Sequence, residues 1–160
     1  MATKKDDVII IIQGHRVIVS ACDAERVSAY KWYKRSKKDE IYFERHTPRP
    51  NRKHITLHRF IVDCPEGMVV DHINLNTLDN RRSNLRICSP TENKRNCKKN
   101  KRNSSGFKGV SWNKPWGKWL AYISIDGKNK YLGAFDDKNK AYEAYCKASK
   151  KYHKEYGRIA

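Results

Sequence analysis

The sequence predicts an α+β chain of two modules, and three observations carry that expectation. Residues 69–93, VVDHINLNTLDNRRSNLRICSPTEN, run from a short apolar stretch through a loop thick with Asn, Asp and Arg into a second apolar stretch, and Ser89-Pro90-Thr91-Glu92 then reads as a helix start. Past Ser104-Ser105-Gly106 the pattern changes to three strand-like runs and one amphipathic helix. A chain of 160 residues with 38% hydrophobic content has room for one ordinary domain or two small ones, each with a modest core. The expected division is residues 1–103, a mixed region whose strand–loop–strand–helix core lies at about 55–100, and residues 104–160, a three-stranded antiparallel sheet braced by one helix.

Element by element, VIIII and HRVIVSA are short apolar runs separated by Gln13-Gly14, the pattern of a hairpin. DAERVSAYKWYK reads as a short helix, with Asp23 as its cap and Val27, Tyr30 and Trp32 as its apolar positions. EIYFERH alternates like a strand, whereas HITLHRFIVDC fits strand or helix equally well. In the second module GVSW, KWLAYISID and KYLGAF are strand-like, and Asp126-Gly127 marks a tight turn between the last two. Ala141, Tyr145, Ala148 and Tyr152 recur at helical spacing, with Asp136 or Asp137 as cap and Gly157 past the end.

The charge narrows the partners. Thirty-five basic against 17 acidic residues give a net +18, which points to a polyanion. A membrane surface is the weaker partner, because no long apolar run or basic amphipathic anchor is present; the five apolar residues Val8 to Ile12 are too short for a signal-peptide core, and the chain reads as cytosolic. The five cysteines are scattered and never paired as C-x-x-C, which favours reduced thiols over disulfides or zinc.

The chemistry concentrates at Asp71-His72. Neighbouring strand residues face opposite ways, so both serve one site only if the strand ends or bulges there, as the following Asn/Asp run suggests. Phosphodiester cleavage needs an activated water, charge neutralisation at the phosphate and a stabilised leaving oxygen, and a divalent metal supplies the last two. Asp71 offers a carboxylate oxygen and Asn93, about one turn into the following helix, an amide oxygen; these hard donors suit Mg²⁺ or Mn²⁺ better than zinc. A neutral His72 takes the proton from water, and Asn84 holds the loop through its backbone. His54 and His58 read as packing or phosphate contacts rather than further ligands.

VDHINLNTLDNRRSNLRICSPTENKRN resembles the ββα-metal motif of the HNH homing endonucleases, and LHRFIV (Leu57 to Val62) resembles the helix that precedes it. The resemblance implies His72 as general base, Asp71 and Asn93 as metal ligands and Asn84 as the residue that orders the loop. Asn93 stands where the strict motif has its final His, a variant found among phage intron-encoded nicking enzymes. It also implies products with 5′-phosphate and 3′-hydroxyl ends. Arg81, Arg82 and Arg86 are expected at phosphates beside the metal, and Lys94, Arg95, Lys98, Lys99, Lys101 and Arg102 along the backbone between cut site and reading site.

SGFKGVSWNKPWGKWLAYISIDGKNKYLGAFDDKNKAYEAYCKASKKYHKEYG resembles the Apetala-2/ethylene-response-factor (AP2/ERF) DNA-binding domain, carrying its GV, PWGKW and YLGAF pieces and its Ala/Tyr-rich helix. The resemblance implies a sheet laid in the major groove of double-stranded DNA. Alternation places Trp119, Ala121, Ile123 and Ile125 against the helix, with Leu132 and Phe135 closing the core. Trp116, Lys118, Tyr122, Ser124, Asn129 and Tyr131 are left facing DNA. Lys108, Ser111, Asn113 and Lys114 fall where the family places DNA-contacting arginines, so the family's own recognition site does not carry over. The expected protein is a site-specific, metal-dependent DNA endonuclease of the HNH homing type, borne by a phage or mobile element and acting in the cytoplasm of a prokaryotic or phage-infected cell. The alternatives are a DNA-binding regulator without catalysis and, ranked last, an RNA-binding protein. Monomer and homodimer stay open, as do nicking and double-strand cleavage.

Overall fold

A computed structural model describes residues 7–37, 39–97 and 103–159, and they form two compact units, Met1–Pro90 and Thr91–Ala160. The fold is α+β in both. The compact units divide after Pro90, so most of the short helix after the second apolar run is grouped with the C-terminal sheet.

In the first unit, β1 (Asp7–Ile12) and β2 (His15–Ser20) form an antiparallel hairpin whose turn puts Gln13 and Gly14 at φ 47° and 80°. Positive φ at both central residues gives the turn the twist of the strands it joins. Alternation buries Val17 and Val19 on one face of β2. Helix α1 (Ala21–Ser28) is shorter than its sequence suggests: it starts before Asp23, and Tyr30 and Trp32 lie beyond its end. Asp23 is not the cap but a buried carboxylate bound by Arg82, a partner 59 residues away. Trp32 is still core, its Nε1 donating to the Val27 carbonyl at 2.8 Å.

Strands β3 (Tyr33–Lys37), β4 (Glu40–His46) and β5 (His54–Thr56) make a second antiparallel sheet. The undecided HITLHRFIVDC stretch resolves into β5 followed at once by α2 (Leu57–Ile61), a helix too short to show a helical period. Arg59 closes the loop after it by donating to the carbonyls of Met68, Cys64 and Pro65. Strand β6 (Val69–His72) then pairs antiparallel with β8 (Leu85–Cys88); between them β7 (Asp79–Asn80) runs parallel to β2, and a single 3-10 turn covers Arg82–Asn84. Val17, Val19, Val27, Trp32, Phe43, Leu57, Ile61 and Leu85 gather into one core beneath these elements.

The second unit starts with α3 (Pro90–Arg95) and continues into β9 (Val110–Asn113), β10 (Lys118–Ile125) and β11 (Lys128–Phe135), an antiparallel sheet of order β11-β10-β9. Helix α4 (Lys138–Tyr152) packs on it through buried Ala141, Tyr145 and Ala148. Asp137 is the cap, accepting from the Asn139 and Lys140 amides at 2.8 and 2.9 Å, while Asp136 pairs with Lys118. Gly157 does not end the helix in a left-handed conformation. Lys154 takes that role at φ 49°, and Gly157 is small because a Cβ there would meet Ser149 Oγ at 2.3 Å.

Candidate nuclease site and DNA-reading sheet

Strand β6 ends at His72, and its last two residues are both buried, Asp71 at 4% and His72 at 6% exposure. Their neighbours differ. Asp71 lies directly across from Arg86, whose Nε and Nη2 donate to Asp71 Oδ2 at 2.8 and 2.6 Å. A buried carboxylate requires such compensation, and the Arg86 guanidinium supplies it. His72 lies under a different set of groups. Its ring meets His58 edge-on at 5.3 Å and Tyr42 at 6.5 Å, and its Nε2 is 3.4 Å from Asn80 Oδ1.

Asn80 decides which nitrogen of His72 is basic. Its amide is oriented by donating from Nδ2 to the Thr77 carbonyl at 3.0 Å, so Oδ1 faces the imidazole. An acceptor there favours the proton on Nε2 and leaves Nδ1 as the basic nitrogen. Burial pushes the imidazole below its ordinary value, against the pull of Asn80, Asp71, Asp79 and Glu40, so the ring is neutral at pH 7. His58 is more strongly affected: desolvation first, then His72 and Arg59, drive it down to about 3, and it stays uncharged while exchanging a hydrogen bond with Thr56 Oγ1 at 3.1 Å. Burial and the bond to Glu40 together raise the Tyr42 phenol, which donates to Glu40 Oε2 at 2.7 Å.

The polar loop between β6 and β7 satisfies itself. Asn74 Oδ1 accepts from the Asn76 amide, Asn76 Oδ1 from the Leu78 amide, and Asn74 Nδ2 donates to Asp79 Oδ2 at 2.8 Å. These are the local side-chain turns for which Asn and Asp are suited. Asn84 joins the two sides of the loop: Oδ1 accepts from the Asn74 amide at 3.0 Å and Nδ2 donates to the Asp79 carbonyl at 2.7 Å. Thr77 Oγ1 ties the loop to β4 through the Ile41 carbonyl.

The arginines expected at phosphates are engaged internally. Arg81 grips Asp79 through Nε and Nη2 at 2.7 and 2.6 Å and reaches Asp7 at 2.8 Å. Arg82 grips Asp23 and the Ile61 carbonyl, and Arg86 holds Asp71. Arg81 and Arg82 therefore meet a phosphate only with the N–H donors their ion pairs leave over.

Asn93 sits on α3, in the second unit, and Lys94 beside it is exposed. Arg95 pairs with Asp126 at 3.3 Å. Lys108, expected at DNA, instead donates from Nζ to the carbonyls of Arg95 and Cys97 at 2.7 and 3.0 Å, a cation placed at the end of α3 where carbonyls lack helical partners. Lys98, Lys99, Lys101 and Arg102 lie outside the described residues.

On the sheet, Ala121 and Ile123 are buried, and Trp119, Ile125, Leu132 and Phe135 pack against the same core. The other face exposes Ser111, Tyr122, Ser124, Asn129 and Tyr131, with Tyr122 and Tyr131 side by side at 5.3 Å across β10 and β11. Trp116, 63% exposed, stands in the β9–β10 turn beside exposed Lys114. Asn113 shapes that turn, its Oδ1 accepting from the Trp116 amide at 2.9 Å, and Lys118 pairs with Asp136. Leu120 shares the face of Ser111 by register yet is only 6% exposed, so strict alternation does not describe the middle of β10.

Geometry and sequence define the class. Residues 62–95 match the HNH endonuclease family and residues 105–155 match the AP2 domain, so the chain carries an HNH endonuclease motif followed by an AP2-type DNA-binding domain. It is 42% identical over 64 residues to Protein 3.8 of Escherichia phage T7, a match covering 40% of this chain and 53% of that one. It is 36% identical over 103 residues to the ethylene-responsive transcription factor ERF117 of Arabidopsis thaliana, covering 63% of this chain and 30% of that one. The chain thus spans about half the length of the first relative and under a third of the second. No solved structure matches it. Among the described residues, no helix is long and apolar enough to cross a membrane.

Proposed function

We propose that the chain is a site-specific, metal-dependent DNA endonuclease of the HNH homing type, borne by a phage or mobile element and acting in the cytoplasm of its prokaryotic or infected host. The observation that carries the reading is the buried, neutral His72 at the end of β6, next to the buried Asp71 carboxylate. The functional division is residues 1–103 for cleavage and 104–160 for DNA reading; the matched regions fall on either side of it.

The donor set fits a hard divalent ion. Asp71 contributes an anionic oxygen, held in this structure by Arg86, and the resemblance assigns Asn93 the second oxygen. Bound Mg²⁺ or Mn²⁺ would neutralise phosphate charge and stabilise the leaving oxygen. The chain's own residues do the rest. His72 Nδ1 takes a proton from the attacking water, while Asn80 keeps the other ring proton on Nε2 and so fixes the ring's orientation. As the water oxygen bonds to phosphorus, the P–O3′ bond breaks and the departing oxygen gains a proton, leaving 5′-phosphate and 3′-hydroxyl ends. Asn84 acts on loop shape rather than on the phosphate. The exposed strip of Ser111, Tyr122, Ser124, Asn129 and Tyr131, with Lys114 and Trp116 at its rim, supplies target affinity in the major groove.

The test is cleavage of supercoiled plasmid carrying the protein's own flanking locus, in Mg²⁺, Mn²⁺ or EDTA, by wild type and His72→Ala. Metal-dependent open circles that vanish with the variant are expected and signify nicking; direct linearisation signifies a dimer or paired nicks. Wild-type protein that binds the plasmid yet cuts with neither metal would leave the regulator reading in its place.

A further inference from the structure

A second cluster of metal-ligating side chains lies on the β3–β4–β5 sheet. Glu44 and His46 are two residues apart on β4 and therefore share a face. His54 on β5 is the direct cross-strand partner of His46, which puts it on that face too. Glu44 Oε1, His46 Nε2 and His54 Nδ1 all lie within 4.8 Å of one another. We propose that these three side chains form a zinc-type site separate from the one at Asp71, holding one transition-metal ion with a fourth position open to solvent.

The distances favour this over an ordinary hydrogen-bonded cluster. A tetrahedral ion with bonds of about 2.0–2.1 Å has donor–donor edges of about 3.3 Å. Glu44 Oε1 is 3.3 Å from His54 Nδ1 and 3.5 Å from His46 Nε2, so two edges are already near that length. Both are longer than good N–H···O bonds. His46 Nε2 is moreover buried without a hydrogen-bond partner, an orphan that a metal bond would satisfy. Two imidazoles and one carboxylate suit Zn²⁺, Co²⁺ or Ni²⁺ and not Mg²⁺.

The surroundings orient the donors before any ion arrives. Tyr33 stacks on the His46 ring at 5.7 Å with an 11° interplanar angle. Arg35 donates to Glu44 Oε2 at 3.0 Å, which leaves Oε1 aimed at the two rings. Burial alone would raise the Glu44 carboxyl, but its bonds from Arg35 and His54 and the charge of Arg35 outweigh that and hold it below its ordinary value. Thr47 clamps the connecting loop, its amide donating to the Lys53 carbonyl, its hydroxyl to the Asn51 carbonyl, and its Oγ1 accepting from the Lys53 amide.

One group opposes loading. Arg52 Nη2 donates to His46 Nδ1 at 2.6 Å, which keeps the ring proton on Nε2. Ligation through Nε2 transfers that proton to Nδ1 and makes Arg52 withdraw; Arg52 is exposed and free of helix or strand, so the cost is one hydrogen bond.

The experiment is a Co²⁺ titration of the full chain followed by visible absorption, with Zn²⁺ as competitor. One equivalent is expected, with the bands of a four-coordinate nitrogen/oxygen complex and no thiolate charge-transfer band. His54→Ala, at a side chain exposed enough to leave folding intact, should weaken affinity tenfold or more, and Arg52→Ala should tighten it several-fold. His72→Ala should leave it unchanged, which separates this site from the nuclease reading. Wild-type affinity in His54→Ala, a thiolate band, or loss of the ion in His72→Ala would each overturn the proposal.

Discussion

Gly109→Ala tests the packing of the DNA-reading module at its tightest point. Gly109 sits at φ +73°, a conformation that costs an L residue about 1–2 kcal/mol. A Cβ there would also lie 2.2 Å from Tyr145 Cδ2 and 2.6 Å from the Tyr122 carbonyl oxygen, against about 3.5–4.0 Å for carbon atoms in comfortable contact. Neither neighbour can yield easily. Tyr145 is 2% exposed between α4 and the sheet, and the Tyr122 amide donates to the Gly109 carbonyl at 2.8 Å where the β10–β11 register shifts. Overpacking of this kind adds about 1–3 kcal/mol, so the total is about 2–5 kcal/mol. Gly127 is the control: its φ is +81°, but nothing lies within 4 Å of its Cβ position, so Gly127→Ala carries the backbone cost alone. Thermal unfolding followed by tryptophan fluorescence reports mainly on this unit, because three of the four tryptophans, Trp112, Trp116 and Trp119, lie in it, with Trp32 in the first unit. In a module this small each kcal/mol moves Tm by roughly 4–8 °C, so Gly109→Ala should fall at least that far below Gly127→Ala. Equal Tm values for the two variants would show that Gly109 is not a close-approach glycine.

Other perturbations probe other links. Asp137→Ala removes the acceptor for two α4 amides and should cost about 1 kcal/mol, readable in the same melts. Asn84→Ala breaks two bonds across the loop beside Asp71 and His72; a loss of about 2–3 kcal/mol in denaturant unfolding is expected, together with slower plasmid nicking. Asp79 gives a pH signature. Its burial acts to raise the carboxyl, but Arg81 and Asn74 outweigh it and hold the value below the ordinary one. Stability from this group is therefore complete above the unfolded value of about 3.9 and is lost as pH falls through the folded value, so Asp79→Asn should flatten the acid limb of the stability curve. On DNA, Lys114→Ala should reduce the salt slope of binding by about 1, whereas Trp116→Ala should weaken binding with the slope unchanged.

Local rules made much of the fold legible. The hairpin turns at Gln13-Gly14 and Asp126-Gly127 were marked by residues that tolerate positive φ, and both turns have it. Helix α4 showed in advance because fifteen residues are enough for a period, and Ala141, Tyr145 and Ala148 are buried as that period requires. Helix α2 did not show by periodicity, since five residues make less than two turns, and only the family resemblance of Leu57 to Val62 marked it as a helix. Asp23 misled because an acid ahead of an apolar run looks the same whether it caps a helix or receives an arginine 59 positions later.

That last case governs the site. Composition counted Arg81, Arg82, Arg86 and Lys108 among the charges available to a polyanion, yet each has an internal acceptor: Asp79, Asp23, Asp71 and the carbonyls past α3. A basic residue is free for phosphate only after the fold's own acceptors are satisfied, and that accounting needs contacts at long sequence separation. Asn80 was hidden for a local reason: its place in a two-residue strand signals nothing by itself, and its role exists only because its bond to the Thr77 carbonyl turns its amide toward His72. Glu44 and His46 were one strand step apart in plain view, but His54 joins them only through a register that the loop from Thr47 to Lys53 sets. Residue types that make chemistry possible are visible in the chain, whereas the pairing that selects among them is a property of the sheets.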